Sequence, residues 1–212
     1  MNDARTLIRP PRQERSRTSF ERVLRAAREL LEEEGYGSFT LARVSERAGV
    51  SIGAIYARAP SKDALFYAVH QRVMDELAAE DAALAEREAR SALPARELVL
   101  ETVRDLAKPM RDYSAILRVV MHRGAVDDVV ARLGSQASSA QAAVFRSIVL
   151  SRREAIVHPD PELAADVAFR LVYCTLARQV MYGPTFESQR RVPWEELVDE
   201  LGAAAAAYLL GS

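Results

Sequence analysis

Apolar residues recur every three or four positions along most of the chain, and this spacing predicts amphipathic α-helices. In the first such segment, TSFERVLRAARELLEEEG, Thr18 and Glu21 have the spacing of a capping box and Gly35 ends the pattern. The predicted inner face of this helix comprises Phe20, Val23, Leu24, Ala27, Leu30 and Leu31. No run alternates between apolar and polar residues for long enough to predict a β-strand. We therefore expect an all-α fold of about nine helices.

The second and third predicted helices are short and follow one another closely. In TLARVSERAG, Thr40 is the predicted N-cap, and Gly49 supplies the left-handed conformation that a tight turn requires. Ser51 is the predicted N-cap of the next helix, and Ser61 is the predicted N-cap of the long helix that follows it. Two short helices joined by a glycine-containing turn have the geometry of a helix-turn-helix.

The composition along the chain divides it into three parts. Residues 1–16 are polar and rich in arginine, which predicts a mobile basic arm. Residues 17–62 contain the helix-turn-helix, and residues 63–212 form a larger helical domain. Proline marks several helix boundaries in the last part. The predicted starts lie at Pro94, at Asp160 with Pro161 and at Pro193, and Pro109 is expected to end or kink a helix.

The charge is unevenly distributed, although the chain as a whole is close to neutral. The 212 residues carry a formal net charge of −1, but residues 1–65 hold 12 Lys and Arg against 9 Asp and Glu. A basic front part on a mildly acidic body favours a polyanionic partner for the front part, and a surplus of this size also occurs in ordinary solvated surfaces.

Cys174 is the only cysteine, so an intramolecular disulfide is excluded. It lies in the apolar run LVYCTLA and is expected to be a small buried hydrophobic residue. The first residues lack the apolar core of a signal peptide, and no apolar run reaches the ~18 residues of a membrane span. We therefore expect a cytoplasmic protein with no membrane partner.

The third helix has small side chains where a packed helix would place larger ones, at Gly53 and Ala54. A glycine inside a helix costs about 1 kcal/mol relative to alanine, and close approach by another backbone is one compensation. A sugar-phosphate backbone would supply that approach, and Tyr56 and Lys62 are placed to donate to its phosphates. Ile55 is expected to face inward and to hold the helix to its domain.

The segment VLRAARELLEEEGYGSFTLARVSERAGVSIGAIYARAPSKDALFYAV combines several short signals. A helix ends in Gly-Tyr, a threonine opens the next helix, and AGVS, a glycine, Ile-Tyr and SKDAL follow. In this combination the segment resembles the N-terminal DNA-binding domain of TetR-family transcriptional regulators. By that resemblance, the expected phosphate contacts are Thr40, Ser51, Tyr56 and Lys62, and the residues expected at the base edges are Ile52, Gly53 and Ala54.

One position departs from the family pattern. The family usually has an aromatic residue three positions after the tyrosine, as in Tyr-x-x-Phe, and this chain has Ala59 there. That aromatic normally packs the recognition helix onto its neighbours, so its loss bears on how the motif docks. The preceding Arg58 has two interpretations, an additional phosphate contact or a solvated surface charge.

The resemblance also implies a function for the whole chain. It implies a ligand-responsive transcriptional regulator, most often a repressor, with a C-terminal ligand-binding and dimerisation domain. Such a protein binds a palindromic operator in double-stranded DNA as a homodimer. A small, mainly apolar effector releases it by favouring a conformation that does not fit the operator. We predict neither enzyme activity nor a cofactor.

A dimer interface is expected on the last two long helices. The segment ADVAFRLVYCTLARQVMYG is apolar nearly all round, which predicts burial on more than one side. A second subunit would cover the side that its own domain does not, and two helices from each subunit would form a four-helix interface. The predicted interface residues are Val172, Leu176, Val180, Trp194, Leu197, Leu201, Ala205 and Tyr208.

An effector pocket is implied by the family and is weakly specified by this sequence. The candidates are apolar or polar-tipped residues on the middle helices, and ordinary core packing is the alternative interpretation for each of them. They are Met110, Tyr113, Leu117, Met121, Phe145, Phe169, Tyr173 and Arg178.

Catalytic and metal sites have little support in the sequence. His70, His122 and His158 are far apart and lack the spacing of metal ligands, and no G-x-S-x-G motif is present. We therefore predict no catalytic residue and no metal site. Two other classes stay open, a helical protein-interaction module and an all-α enzyme with a C-terminal site. The basic arm, with Arg12, Arg15 and Arg17, either enters a minor groove or is a solubility tail.

Overall fold

A computed structural model describes residues 14–89 and 92–211. These residues form nine α-helices and one short 3-10 helix and contain no β-strand, which confirms the all-α prediction. The helices are α1 (Glu14–Ser38), α2 (Leu41–Ala48), α3 (Ile52–Tyr56), α4 (Lys62–Ala89), α5 (Ala95–Asp112), α6 (Ser114–Gly124), α7 (Asp128–Leu150), α8 (Pro161–Tyr182) and α9 (Trp194–Leu210).

The chain forms two compact units. The first unit comprises residues up to Asp75 together with Arg118–Gly134, and the second comprises Glu76–Leu117 together with Ser135–Ser212. The predicted division after residue 62 falls at the start of α4, whereas the first unit runs on to Asp75 because the first half of α4 packs into its core. The largest fully buried side chains of the first unit are Leu30, Leu31, Phe39, Ile55, Leu65 and Phe66.

Helix α1 begins earlier than the sequence pattern predicts. It starts at Glu14, so Thr18 lies inside the helix and the predicted capping box with Glu21 is wrong. The physical reason is that the polar residues preceding Thr18 tolerate a helix well enough to extend it. The break at Gly35 is confirmed, because this glycine has φ 74° inside α1. Arg12 and the rest of residues 1–13 of the predicted arm lie outside the described residues.

Helices α5, α8 and α9 pack together in the second unit. Gly202 allows α9 to approach α5 closely, because a Cβ built on it would lie 3.0 Å from Leu100 Cδ2. Pro109 does not end α5, which continues to Asp112. The proline lies in the last turn, where it removes only one hydrogen bond, and its own carbonyl accepts from the Tyr113 amide at 2.9 Å.

Half of the predicted dimer contacts are core residues of the single chain. Val172, Leu176, Val180 and Ala205 are buried within their own unit, whereas a contact with a partner requires an accessible side chain. A helix that is apolar nearly all round does not reveal which of its apolar sides its own domain covers. The other predicted contacts, Trp194, Leu197, Leu201 and Tyr208, are half-buried.

The outer face of α8 carries residues that were expected to be inside. Cys174 is exposed rather than buried, because it lies on the side of the helix opposite to Val172 and Leu176. Large apolar side chains are exposed on the same face, at Leu171 and Tyr182. None of the helices described here is sufficiently long and apolar to span a membrane.

Candidate nucleic-acid interface

Side-chain caps define the ends of the two short helices. The Thr40 hydroxyl accepts from the Arg43 amide at 3.3 Å, and the Ser51 hydroxyl accepts from the Ala54 amide at 3.3 Å. Between the helices, Gly49 has φ 62° and ψ 37°, the left-handed conformation predicted for it. The Ser45 hydroxyl donates to the Val50 carbonyl at 2.7 Å and closes the turn. The helix-turn-helix is therefore fixed by local hydrogen bonds.

Helix α3 has one buried residue, and its other residues are exposed. Ile55 is buried, as predicted, and anchors the helix in the first unit. Ile52 is 42% exposed and Tyr56 is 52% exposed, although both are large and partly apolar. Gly53 and Ala54 are also exposed. We call these four exposed residues, with the exposed caps Thr40 and Ser51, the recognition face.

The fold itself does not require a glycine at position 53. A Cβ built on Gly53 meets no atom of the described residues within 4 Å, and its φ lies outside the left-handed region. Alanine there would gain about 1 kcal/mol of helix propensity without any clash. The fold therefore leaves the choice of glycine unexplained, and close approach of a nucleic-acid backbone fits this surface.

The arginines of α2 are directed toward α1. Arg43 forms a two-pronged pair with the carboxylate of Glu34, and Arg47 lies 2.7 Å from a Glu33 oxygen. The hydrogen bond from Arg43 lowers the pKa of Glu34 below its ordinary value. The acidic run near the end of α1 therefore holds α2 in place, and the recognition face has fewer available cations than the count of arginines suggests.

Lys62 is held by the end of α1. Its ammonium group donates to the Tyr36 carbonyl at 2.7 Å and lies 4.1 Å from the centroid of the Tyr36 ring. A lysine has three donors, so one proton directed at a carbonyl leaves others for a phosphate. The predicted phosphate contact thus coincides with a contact that joins α1 to the start of α4.

Tyr36 is the centre of a larger polar network within the first unit. Its hydroxyl donates to Asp63, and the guanidinium of Arg123 lies 4.4 Å from its ring centroid and 3.6 Å from Asp63. Arg123 also pairs with Asp127 at 3.0 Å, and Tyr67 donates to that carboxylate at 2.9 Å. Burial, with the hydrogen bond to Asp63, raises the pKa of Tyr36. This network, which the sequence analysis missed, ties α1, α4 and α6 together.

At the position that departs from the family pattern, Ala59 is fully buried. The preceding residue, Arg58, is half-buried. The guanidinium of Arg58 lies 5.0 Å from the ring centroid of Phe20. Neither earlier interpretation of Arg58 describes this arrangement, because the side chain packs on an aromatic face of α1.

His70 lies in the apolar interior of the same unit. It is 0% exposed, and neither ring nitrogen has a hydrogen-bond partner among the described residues. Burial lowers its pKa to about 4, with the carboxylate of Asp127 acting in the opposite direction. The side chain is therefore neutral at physiological pH and acts as a packing residue beside Phe66.

The comparisons with known proteins identify this region. Residues 23–69 match the model of the tetR family of bacterial regulatory proteins. The chain carries the DNA-binding domain of the TetR family. The match covers α2 and α3 completely and the first part of α4, which confirms the predicted resemblance and DNA-binding class. No curated protein matches the chain.

Solved structures share this fold over nearly the whole chain. A candidate TetR-family regulator from Mesorhizobium loti has a TM-score of 0.66 at 18% identity, over 92% of this chain and 97% of that one. A tetR-family regulatory protein from Rhodococcus RHA1 has a TM-score of 0.67 at 17% identity, over 90% and 96%. Salmonella enterica GusR has a TM-score of 0.60 at 21% identity, over 91% and 95%. At these identities the comparison shows the TetR-family fold.

The predicted effector residues fall into different environments. Phe145, Phe169 and Tyr173 form a row of rings in the second unit, with centroid distances of 5.8 Å and 5.3 Å. Arg178 is exposed, pairs with Glu187 and lies over the exposed rings of Tyr182 and Phe186. Met110 and Leu117 are buried, and Tyr113 and Met121 are half-buried. Within residues 14–89 and 92–211, no group of three His, Cys, Asp or Glu side chains is arranged to hold a metal ion.

Proposed function

We propose that this protein is a cytoplasmic, ligand-responsive transcriptional repressor that binds a palindromic operator as a homodimer. The observation that carries the proposal is the recognition face, in which small exposed residues surround a glycine that the fold does not require. A helix of this kind enters the major groove in helix-turn-helix proteins, and dimers read two half-sites about one helical turn apart.

The residues of the recognition face divide by the groups that they offer. Thr40, Ser51 and Tyr56 present hydroxyl groups, and Lys62 at the start of α4 adds an ammonium group from outside the face, so these four contact phosphates. Ile52, Gly53 and Ala54 offer no hydrogen-bonding side chain, so they approach base edges by shape and apolar contact. Because Arg43 and Arg47 pair with α1, neutral donors provide much of the backbone contact.

The homodimer forms through the outer faces of α8 and α9. On α8, Leu163, Leu171, Cys174 and Tyr182 are exposed and share one helical face. On α9, exposed alanines at 203, 204 and 207 allow close approach of a second helix, with the half-buried predicted residues at the margin. A two-fold axis places the outer faces of α8 and α9 of one subunit against the same faces of the other subunit. The four helices together form the interface.

The effector binds in the second unit and releases the operator. It is a small, mainly apolar molecule, and its candidate contacts include Phe145, Phe169 and Tyr173, whose rings pack in a row in that unit. Its effect on the operator is limited to its differential affinity for the DNA-binding and DNA-free conformations.

The test is selection of genomic DNA fragments by the purified protein, followed by titration of the best fragment at several salt concentrations. We expect a palindromic protected sequence and an affinity that falls linearly with salt on logarithmic axes. Ala54→Glu places a carboxylate at the bases and weakens binding on the order of 100-fold, because like charges at a nucleic-acid interface cost several kcal/mol.

The matched control is Ala115→Glu, which makes the same change at an exposed alanine of the second unit. It should leave DNA affinity unchanged. Weak binding that ignores sequence, or equal loss in both variants, would contradict the proposal. It would favour a protein partner for the helix-turn-helix.

A further inference from the structure

The segment that carries α3 lacks the side chains that usually distinguish bases by hydrogen bonds. Residues 48–57 run from the turn through α3 to its C-cap, and they contain no Arg, Lys, Asn, Gln, Asp or Glu. Side chains of these types read guanine, adenine and cytosine in the major groove. A recognition helix of this composition therefore has to distinguish base pairs in another way.

The arginines nearest to α3 along the chain are already engaged within the first unit. Arg43 and Arg47 of α2 pair with the acidic end of α1. Arg58 follows the C-cap of α3, and its guanidinium lies 5.0 Å from the ring centroid of Phe20. Guanine readout by any of these arginines would first have to break a contact that the fold makes. The base contacts are therefore left to the exposed side chains of α3 itself.

Ile52 is the apolar side chain of α3 that reaches farthest toward a partner. It is 42% exposed, and it lies four positions before Tyr56, so the two side chains project from the same face of the helix. Gly53 and Ala54 are also exposed, but their side chains extend little from the backbone. Among the three residues expected at the base edges, Ile52 therefore offers most of the apolar surface.

The apolar group that DNA presents in the major groove is the methyl group of thymine. The other groups at the base edges there are hydrogen-bond donors and acceptors. An isoleucine gains free energy by removing the methyl group from water, and it offers no hydrogen bond to a guanine or cytosine edge.

We propose that Ile52 packs against the C5 methyl group of one thymine in each half-site and thereby selects a T·A pair at that position. The proposal rests on the proposed function, because it names the base that the same recognition face reads. The small neighbours Gly53 and Ala54 let the helix approach closely enough for this contact.

The test removes single methyl groups from the DNA and leaves the protein unchanged. In the operator obtained by selection, uracil replaces thymine at one position at a time, in both half-sites together, and fluorescence anisotropy measures the affinity. Uracil has the hydrogen-bonding groups of thymine and lacks only its methyl group. We expect one position at which affinity falls about tenfold, since burial of one methyl group is lost in each half-site. Uracil outside the half-sites should have no effect. Unchanged affinity at every thymine would overturn the proposal.

Two matched variants locate the contact in the protein. Ile52→Ala shortens the side chain, should weaken binding to the thymine operator about tenfold, and should bind the thymine and uracil operators alike. Val157→Ala shortens another exposed apolar side chain, in the second unit, and should keep the wild-type response to uracil. If Ile52→Ala keeps that response, or if both variants behave alike, Ile52 does not read the methyl group.

The outcomes separate this proposal from the proposed function. A selected, palindromic operator that binds equally well with uracil refutes the thymine contact and keeps the regulator. Conversely, a response to uracil that depends on Ile52, at a selected site that is not palindromic, keeps the thymine contact and refutes the proposed dimeric readout. Failure to select any site would refute both.

Discussion

Two surfaces of this protein expose apolar side chains that the single chain leaves uncovered. They differ in the side chains that surround these apolar residues. On the recognition face, Ile52 and Tyr56 stand among hydroxyl groups and a glycine. On α8, Leu171 and Leu163 recur at helical spacing on one face. A surface of small and polar groups suits a grooved, charged partner, whereas a row of large apolar groups suits another apolar surface. The same degree of exposure therefore indicates two different partners.

Two leucines of α8, one buried and one exposed, test whether the exposed face of this helix serves association rather than stability. Leu176 is 0% exposed and Leu171 is 54% exposed. Leu176→Ala should lower the free energy of unfolding by about 2–5 kcal/mol, because it removes core contacts and leaves a cavity. Leu171→Ala should change that free energy little and should raise the dimer dissociation constant by at least about tenfold, since the loss occurs twice in a two-fold interface.

Urea unfolding and sedimentation equilibrium measure the two effects separately. Val126→Ala is the control, because Val126 is exposed and belongs to the first unit, whereas α8 and α9 belong to the second. It should leave both quantities unchanged. If Leu171→Ala does not weaken association, the outer face of α8 is not the interface between copies.

The sequence predicts the helix-turn-helix well because each of its boundaries has a local cause. Thr40 and Ser51 cap their helices, Gly49 takes the left-handed turn, and Ile55 faces inward, all as predicted. These signals act over three or four residues and need no knowledge of the rest of the fold. The one local failure, the early start of α1, arises because polar residues near an N-terminus can extend a helix without any apolar pattern.

The sequence predicts the second unit less well because its side-chain environments depend on distant residues. The Gln141 amide donates to the Asp81 carboxylate at 3.2 Å, although these residues are 60 positions apart and neither has a local signal that brings them together. On α8, the uniform apolar pattern left Val172 and Cys174 indistinguishable, although one is buried and the other is exposed. Periodicity identifies a buried face only when the opposite face is polar.

The buried histidine of α4, His70, should make the first unit sensitive to pH. The pKa of His70 is about 4 in the folded protein, against an ordinary value of 6.5. The unfolded chain therefore binds more protons between these values, so stability rises with pH from about 4 to about 6.5 and is flat above. The full effect of such a shift is about 3 kcal/mol.

His70→Leu should remove this pH dependence, because leucine is apolar and does not titrate. The measurement is urea unfolding at intervals between pH 4.5 and pH 7, with the difference between variant and wild type plotted against pH. His122→Gln replaces an exposed histidine and should retain the wild-type slope. A slope that survives in His70→Leu would assign the pH effect to other groups.

The contact between Lys62 and Tyr36 joins the start of α4 to α1. Lys62→Ala removes a charged hydrogen bond and a contact with the ring, which should lower the free energy of unfolding by about 1–2 kcal/mol. The only other lysine, Lys108, is exposed and pairs with Asp112, so Lys108→Ala should cost less than about 0.5 kcal/mol. Equal stability of the two variants would show that Lys62 does not hold α1 to α4.

Because Lys62 also contacts Tyr36, a loss of DNA affinity in Lys62→Ala could come from either contact, and Tyr56 is the cleaner test of the proposed phosphate contact. Tyr56→Phe removes only a hydroxyl group from a side chain that is 52% exposed, so stability should stay within about 0.5 kcal/mol of wild type. A hydrogen bond is worth about 0.5–1.5 kcal/mol, and a dimer loses it twice, so operator affinity should fall about tenfold. Fluorescence anisotropy with the selected operator measures this change. Thr185→Val removes a hydroxyl group from an exposed side chain of the second unit and should leave the affinity unchanged. Unchanged affinity in Tyr56→Phe would mean that its ring, rather than its hydroxyl group, meets the DNA.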